Sequence, residues 1–199
     1  MSKVAIIDSG GANIASLLFA FERLGVDAEL TSDATRIQRA ERVVLPGVGA
    51  AKDAMQRLAE SRLIEVIRGL HQPVLGICLG MQLLLEGSEE EHVECLGIIP
   101  GIARKLPVTD GYPVPNMGWC ETRISVAHPL FRGVPSGSFF YYVHSYALPL
   151  SEHTLARAEH SHSFSAVVGK DNFVAAQFHP ERSSTAGAQI LQNFLAAGA

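Results

Sequence analysis

The sequence predicts an α/β fold in which a mostly parallel central sheet is flanked by helices, with additional antiparallel strands in the C-terminal half. Three observations predict it. A short apolar run, a turn and a helically spaced stretch recur three times in the first ninety residues, and parallel strands need such long crossovers. Residues 97–146 change texture to short segments rich in Pro, Gly and aromatic side chains, which suits antiparallel strands and loops. The chain of 199 residues is 47% apolar and 18% charged, enough to bury a core and of ordinary single-domain length.

Residues 3–8 are the first apolar run, ending in a Ser-Gly-Gly turn. Residues 13–24 then carry apolar side chains on one helical face and close at Gly25, the glycine supplying a helix stop. The second strand, 42–45, runs into Pro46-Gly47-Val48-Gly49, and residues 50–68 have helical spacing at Met55, Leu58, Leu63, Ile64 and Ile67. A third unit places a strand at 73–77 and a helix at 79–86. Further on, 138–146 is β-prone, with the aromatics of 139–142 read as core strand. Residues 172–178 form another strand, 179–187 a loop and 188–196 a closing helix. No internal repeat, low-complexity tract or linker divides the chain, so one domain over residues 1–199 is expected.

Several function classes are excluded early. The longest apolar stretches, 17–21 and 139–143, fall far short of the ~18–20 residues a membrane-spanning helix needs. The four-residue apolar run at 4–7 meets Asp8 at once, too short for a secretion signal, so a cytoplasmic address is expected. Net charge is −4, from 16 basic and 20 acidic residues without a basic cluster, which argues against nucleic-acid binding. The three cysteines, Cys78, Cys95 and Cys120, are widely spaced and lack a Cys-x-x-Cys pair, as expected of free thiols in a reducing compartment. His153, His160 and His162 have no completing Cys or carboxylate pattern; they read as solvated, and neither a metal nor a cofactor is expected.

The chemistry concentrates at Gly76-Ile77-Cys78-Leu79-Gly80. The cysteine stands where an apolar strand stops and a helix begins, with a glycine two residues away on each side, the pattern of a nucleophile elbow. So sharp a turn needs small neighbours, and the adjoining helix start favours an anionic sulfur. An isolated cysteine would more simply be a buried core residue; the paired glycines reverse that preference. A thiol needs a base, and His179 ends an apolar run and precedes Pro180 and Glu181. Proline biases the preceding residue toward an extended backbone, where residues two apart share a face. Glu181 can then orient His179 while the other ring nitrogen faces the thiol, which is triad logic. Alone, His-Pro-Glu would be a solvated turn. The loop Pro46-Gly47-Val48-Gly49 reads equally as a plain strand-to-helix turn or as a source of backbone N–H groups for an oxyanion. Residues 89–91 read as an exposed acidic turn that leaves room for contact with a substrate amine.

Taken together, Gly-Ile-Cys-Leu-Gly, Pro-Gly-Val-Gly and His-Pro-Glu, in that order, resemble the triad-type (class I) glutamine amidotransferases over essentially the whole chain. The resemblance implies a flavodoxin-like domain that hydrolyses the glutamine side-chain amide. Cys78 would then be the nucleophile, His179 the general base and acid, and Glu181 the orienter. The N–H of Leu79 and the loop of Gly47, Val48 and Gly49 would hold the oxyanion, and Gln82, Glu90 and the main chain at Ser145 and Tyr146 would hold glutamine. Ile7 to Asn13, Gly80-Met81-Gln82, Met117-Gly118-Trp119, Tyr142-Val143-His144-Ser145-Tyr146 and His179-Pro180-Glu181-Arg182-Ser183 are similar to the glutaminase subunits of imidazole glycerol phosphate synthases. Several relatives carry Gly-His-Gln after the elbow, so Met81 favours this subfamily over amidotransferases of other pathways. The resemblance implies ammonia transfer to a (β/α)₈-barrel cyclase subunit in histidine biosynthesis. A 199-residue chain has no room for that barrel of ~250 residues, so the partner is expected as a separate chain in a heterodimer. Asn13, Asn116, Met117, Trp119 and Arg182 would face it. The chain departs from the family where Asn116 and Cys120 flank Met-Gly-Trp in place of His and Asn, where Arg182 replaces a frequent Lys, and at Asp8-Ser9-Gly10 in place of Asp-Tyr-Gly.

Overall fold

A computed structural model of the chain describes residues 4–10 and 14–196. Its elements, in order, are β1 (Val4–Ile7), α1 (Ile14–Arg23), β2 (Ala28–Thr31), α2 (Ala34–Arg39), β3 (Arg42–Leu45), α3 (Ala51–Glu60), α4 (Ile64–Arg68), β4 (Val74–Ile77), α5 (Leu79–Leu84) and β5 (Leu85–Ser88). They continue as β6 (Val93–Glu94), β7 (Ile99–Lys105), β8 (Asn116–Ile124), β9 (Ser138–His144), β10 (Tyr146–Ala147), β11 (Thr154–His160), β12 (His162–Lys170), β13 (Phe173–Ala176) and α6 (Ser184–Ala196).

Nine strands form one sheet in the order β2-β1-β3-β4-β13-β12-β11-β8-β9. The side from β2 to β13 is parallel throughout. From β13 to β9 every pairing is antiparallel. The parallel strands are apolar on both faces because helices cover both: Val4 and Ile6 of β1 pack with Leu17 and Phe21 of α1 and with Ile190 and Phe194 of α6. Ala5 and Ile7 turn the other way, toward Ile37 of α2, Leu58 of α3 and Ile67 of α4. A smaller sheet, β10-β7-β5-β6, lies beyond α5.

Several boundaries differ from the sequence expectation, each for a local reason. The helix expected over 50–68 is two helices, because Arg62 takes a left-handed φ of 56° and turns Leu63 fully into the core. The helix expected to reach 86 ends at Leu84, since Leu85 leaves it to pair with Ile99 of β7; sheet pairing overrides helix propensity there. The closing helix starts at Ser184 rather than 188. Gly187 lets its first turn pass so close to the preceding turn that an added Cβ would sit 2.0 Å from the Pro180 carbonyl oxygen. β2 and α2 were not legible from periodicity, although Asp33 caps α2 by accepting from the N–H groups of Thr35 and Arg36, a contact worth about 1 kcal/mol. The aromatics of β9 are only half core. Phe140 and Tyr142 are buried, whereas Phe139 is 58% exposed on the opposite face.

Candidate active site

Strand β4 delivers the thiol. Cys78 follows it directly and adopts φ 54°, ψ −110°, a sparsely populated conformation that costs of order 1–3 kcal/mol for a residue with a side chain. The surroundings enforce it. The Cys78 N–H donates to Ala176 O of β13 at 2.8 Å, and Gly80 passes so near β3 that a Cβ would lie 1.8 Å from the Leu45 carbonyl oxygen. Only glycine permits that approach, which seats α5 at the ends of the parallel strands. The N–H of Leu79 opens α5 and has no acceptor four residues back in the helix.

The imidazole arrives on the segment after β13. His179 Nδ1 donates to Glu181 Oε1 at 2.8 Å, with both side chains almost fully buried. Burial of the ring works against its charged form, but hydrogen bonds and charge from Cys78 and Glu181 outweigh it and push His179 up to about 10 from an ordinary 6.5. The ring thus holds a proton beside the sulfur more firmly than a free imidazole does. By contrast, burial pushes the Cys95 thiol up to about 11, and burial also raises Cys120 against an opposing hydrogen bond to Asn116. Neither environment favours a thiolate.

The edge strand β9 holds both reactive groups. Among the described residues its outer backbone edge has no further strand to pair with, and unpaired edge groups need partners. His179 N–H donates to Tyr141 O at 2.9 Å, Tyr141 N–H donates to Ser183 Oγ at 2.9 Å, and the Cys78 thiol donates to Val143 O at 3.6 Å. Ser183 Oγ in turn donates to the His179 carbonyl at 2.6 Å. The free edge of the antiparallel half is thus completed by Cys78, His179 and Ser183.

Around Cys78 and His179 lies a cleft of about 350 Å³, lined also by Val48, Gly49, Leu79, Gln82, Glu90, Ser145, Tyr146 and Arg182. Gly47 lies behind this wall, beside His179 and Glu181, and Ser9 Oγ anchors the loop by donating to Pro46 O at 2.9 Å. The acidic turn is exposed at Glu89 and Glu91, as expected, yet its carboxylates are also engaged. Glu90 Oε2 accepts from Ala51 N–H at 3.1 Å, Glu89 Oε2 from Lys105 N–H at 2.9 Å, and Glu91 pairs with Lys52 at 3.1 Å. Leu106 N–H fixes the Ser145 carbonyl at 2.9 Å, and Gln82 Nε2 donates to Tyr146 O at 3.0 Å.

The residues assigned to a partner face divide between the two faces of β8. Met117 and Trp119 point outward, 64% and 51% exposed, beside the exposed Phe139 of β9. Trp119 meets Tyr141 edge-on at 6.1 Å, and the Arg182 guanidinium lies 4.7 Å from the Tyr141 ring centre. Asn116 points inward and is buried, where its Oδ1 accepts from Cys120 Sγ at 3.5 Å; the two residues that flank Met-Gly-Trp touch each other. Asn13 lies outside the described residues. Sequence reasoning missed Tyr141, Val143, Gln177 and Ser183. Gln177 left a signal, a fully buried polar side chain inside an apolar run, and Tyr141 left another, the outward phase of an alternating strand. His160, read as solvated, donates through Nε2 to Pro113 O, 2.8 Å away. Among the described residues no three His, Cys, Asp or Glu side chains group as metal ligands, and no helix is long and apolar enough to cross a membrane.

The class-I glutamine amidotransferase family matches residues 5–197. The chain is 51% identical over 195 residues to the imidazole glycerol phosphate synthase subunit HisH of Xanthomonas axonopodis pv. citri, covering 98% of each. It is 50% identical over 209 residues to the subunit of the same name from Shewanella oneidensis, covering 96% of this chain and 95% of the other. A solved glutamine amidotransferase structure superposes with a TM-score of 0.75 at 16% identity, covering 98% of this chain and 97% of that one.

Proposed function

The chain belongs to the class-I glutamine amidotransferases, and from that premise we propose that it is the glutaminase subunit of an imidazole glycerol phosphate synthase. Relatives of that name at about half identity over nearly full length support the pathway. The observation that carries the chemistry is the cleft that brings Cys78, His179 and the Val48-Gly49 loop together, with Glu181 behind the imidazole.

In this reading glutamine lies in the cleft with its carboxamide carbon against Cys78 Sγ. His179 takes the thiol proton as the sulfur attacks, and the carbonyl oxygen gathers negative charge opposite the N–H of Leu79 and the Gly47-Val48-Gly49 loop. Collapse of the tetrahedral adduct breaks the C–N bond, and His179 hands the proton to the leaving amine, which departs as ammonia. Water, deprotonated by the same imidazole, then attacks the thioester and releases glutamate and the thiol. Glu181 keeps Nδ1 protonated so that Nε2 faces the sulfur. Gln82, Glu90 and the main chain at Ser145 and Tyr146 hold the amino-acid end of the substrate.

The partner is a (β/α)₈-barrel cyclase subunit that receives the ammonia and seats on the outer face of β8 and β9, at Met117 and Trp119, with Arg182 at the margin. An exposed apolar and aromatic patch bordered by a cation is a composition that interfaces favour. Residues 1–199 act as one amidotransferase domain, working in the cytoplasm where histidine is made. The test is glutamate release from glutamine by the purified chain mixed with a cognate cyclase subunit. Release that depends on Cys78 supports the reading, and no release in the complex removes it.

A further inference from the structure

One buried polar chain has no part in the bond-making above. Asn116 Nδ2 and His144 Nε2 are 3.0 Å apart, and His144 Nδ1 lies 2.9 Å from Tyr146 O. That carbonyl also accepts from Gln82 Nε2 at 3.0 Å; Gln82 Nε2 lies 3.2 Å from Gln177 Oε1, and Gln177 Nε2 lies 3.8 Å from Cys78 Sγ. A continuous path of polar groups, joined through the Tyr146 carbonyl, therefore runs from the inner face of β8 to the sulfur.

Proton placement along it is determined by elimination. The Tyr146 carbonyl can only accept, so His144 carries its proton on Nδ1, and Nε2 must then receive one from Asn116. Turning the Asn116 amide over would set its oxygen against a bare Nε2, losing that contact, and leave its NH₂ only the weak acceptor of the Cys120 sulfur. A doubly protonated ring would fit the turned amide, but burial opposes it and lowers His144 to about 4. The ring is neutral, and its tautomer is held from both sides, by the Tyr146 carbonyl at Nδ1 and by Asn116 at Nε2.

Asn116 and His144 face each other across β8 and β9 in register. Met117 and Trp119, on the outward phase of β8, belong to the partner face, so one strand carries the docking surface outside and the tautomer-supporting amide inside. We propose that Asn116 and His144 are positioning residues: through the Nδ1–H tautomer that Asn116 supports at Nε2, His144 holds the Tyr146 carbonyl and keeps the glutamine-binding main chain at Ser145 and Tyr146 aligned with Cys78. This rests on the glutaminase reading. Neither side chain need touch the reacting atoms.

The experiment compares Asn116→Leu, His144→Leu and His144→Asn in the complex saturated with cyclase subunit, with imidazole ¹⁵N shifts recorded on wild type and Asn116→Leu. Wild type shows the Nδ1–H signature, and Asn116→Leu shows a mixture of tautomers. Loss of one aligning hydrogen bond raises the glutamine KM about tenfold in both Leu variants, with kcat changed less than about threefold. In His144→Asn the amide nitrogen can take the place of Nδ1 and donate to Tyr146 O, so KM returns to within about threefold of wild type. An Nε2–H signature in wild type, or a wild-type KM in His144→Leu, overturns the proposal. If Asn116→Leu fails to fold, the two His144 variants decide, and equal KM values for them count against it. A wild-type complex that releases no glutamate removes the glutaminase reading itself, a result distinct from active variants with unchanged KM.

Discussion

The two halves of the nine-stranded sheet differ in how they serve the cleft. In the parallel half each strand ends in a turn and a helix, and that local geometry suffices to present Cys78 after β4 and the Gly47-Val48-Gly49 loop after β3. In the antiparallel half nothing local marks a site. Tyr141, Val143 and His144 serve through backbone carbonyls and buried bonds whose partners lie 38 or more residues away in several cases, as for Tyr141 with His179 and Val143 with Cys78. On the proposed reading chemistry resides in one half and alignment in the other, and the seam is the outer edge of β9.

The sharpest way to break that division is to remove the nucleophile. Cys78→Ser lowers glutamate release at least about a thousandfold, because the step needs a thiolate-grade nucleophile. Ammonia-driven cyclisation by the complex persists, measured with ammonium salt in place of glutamine. Loss of both activities would show that the substitution damages the complex. Glu181→Gln follows, with a fall of about a hundredfold in kcat, since orientation and charge support are lost while the sulfur remains. It also changes the alkaline limb of stability. The folded-state value for His179 is raised to about 10 from 6.5, so its stabilising contribution is complete below 6.5 and lost as pH rises through about 10. Denaturation at pH 7 and pH 10.5 should therefore show a smaller difference for Glu181→Gln than for wild type.

This asymmetry explains what the sequence made legible. The elbow could be read because Gly76, Cys78 and Gly80 are neighbours in one turn, and His-Pro-Glu because its geometry spans three residues. The strand order, the break at Arg62 and the departure of Leu85 into β5 depend on pairing with distant segments. Asn116 illustrates the limit. Its motif neighbours suggested a partner-facing role, but strand alternation puts Met117 and Trp119 outside and Asn116 inside, bonded to a histidine 28 residues on. Glu90 is similar: sequence placed it near a substrate amine, while packing also gives it the N–H of Ala51 at the start of α3.

Smaller effects test each half separately. Gly80→Ala drives a methyl group into the Leu45 carbonyl, where a Cβ would lie 1.8 Å from the oxygen, and should cost about 3 kcal/mol or more in denaturant unfolding. A loss below about 1 kcal/mol would mean that α5 can shift without penalty. Trp119→Ala removes an aromatic anchor from the outer face of β8 and should weaken cyclase binding by about 2 kcal/mol, or roughly thirtyfold in Kd by calorimetry. The smallest effect belongs to His144. Its folded-state value is lowered to about 4 from 6.5, so the unfolded chain takes up its proton first as pH falls. That contribution to stability is complete above 6.5 and lost progressively toward 4. His144→Asn should flatten this part of the stability curve by an amount on the order of 1 kcal/mol.

The central claim is that β9 joins the docking face to the catalytic groups, since its outer side presents Phe139 and Tyr141 while its carbonyls hold His179 and Cys78. The most direct measurement is the rate of glutamate release by the purified chain, alone and with the cognate cyclase subunit and its nucleotide substrate or product analogue. The account predicts slow release alone and a rise of at least about tenfold in the complex, within the ordinary range of coupling between sites. An equal rate with and without the partner would contradict it, leaving a glutaminase whose β9 edge holds the catalytic groups without sensing what docks outside.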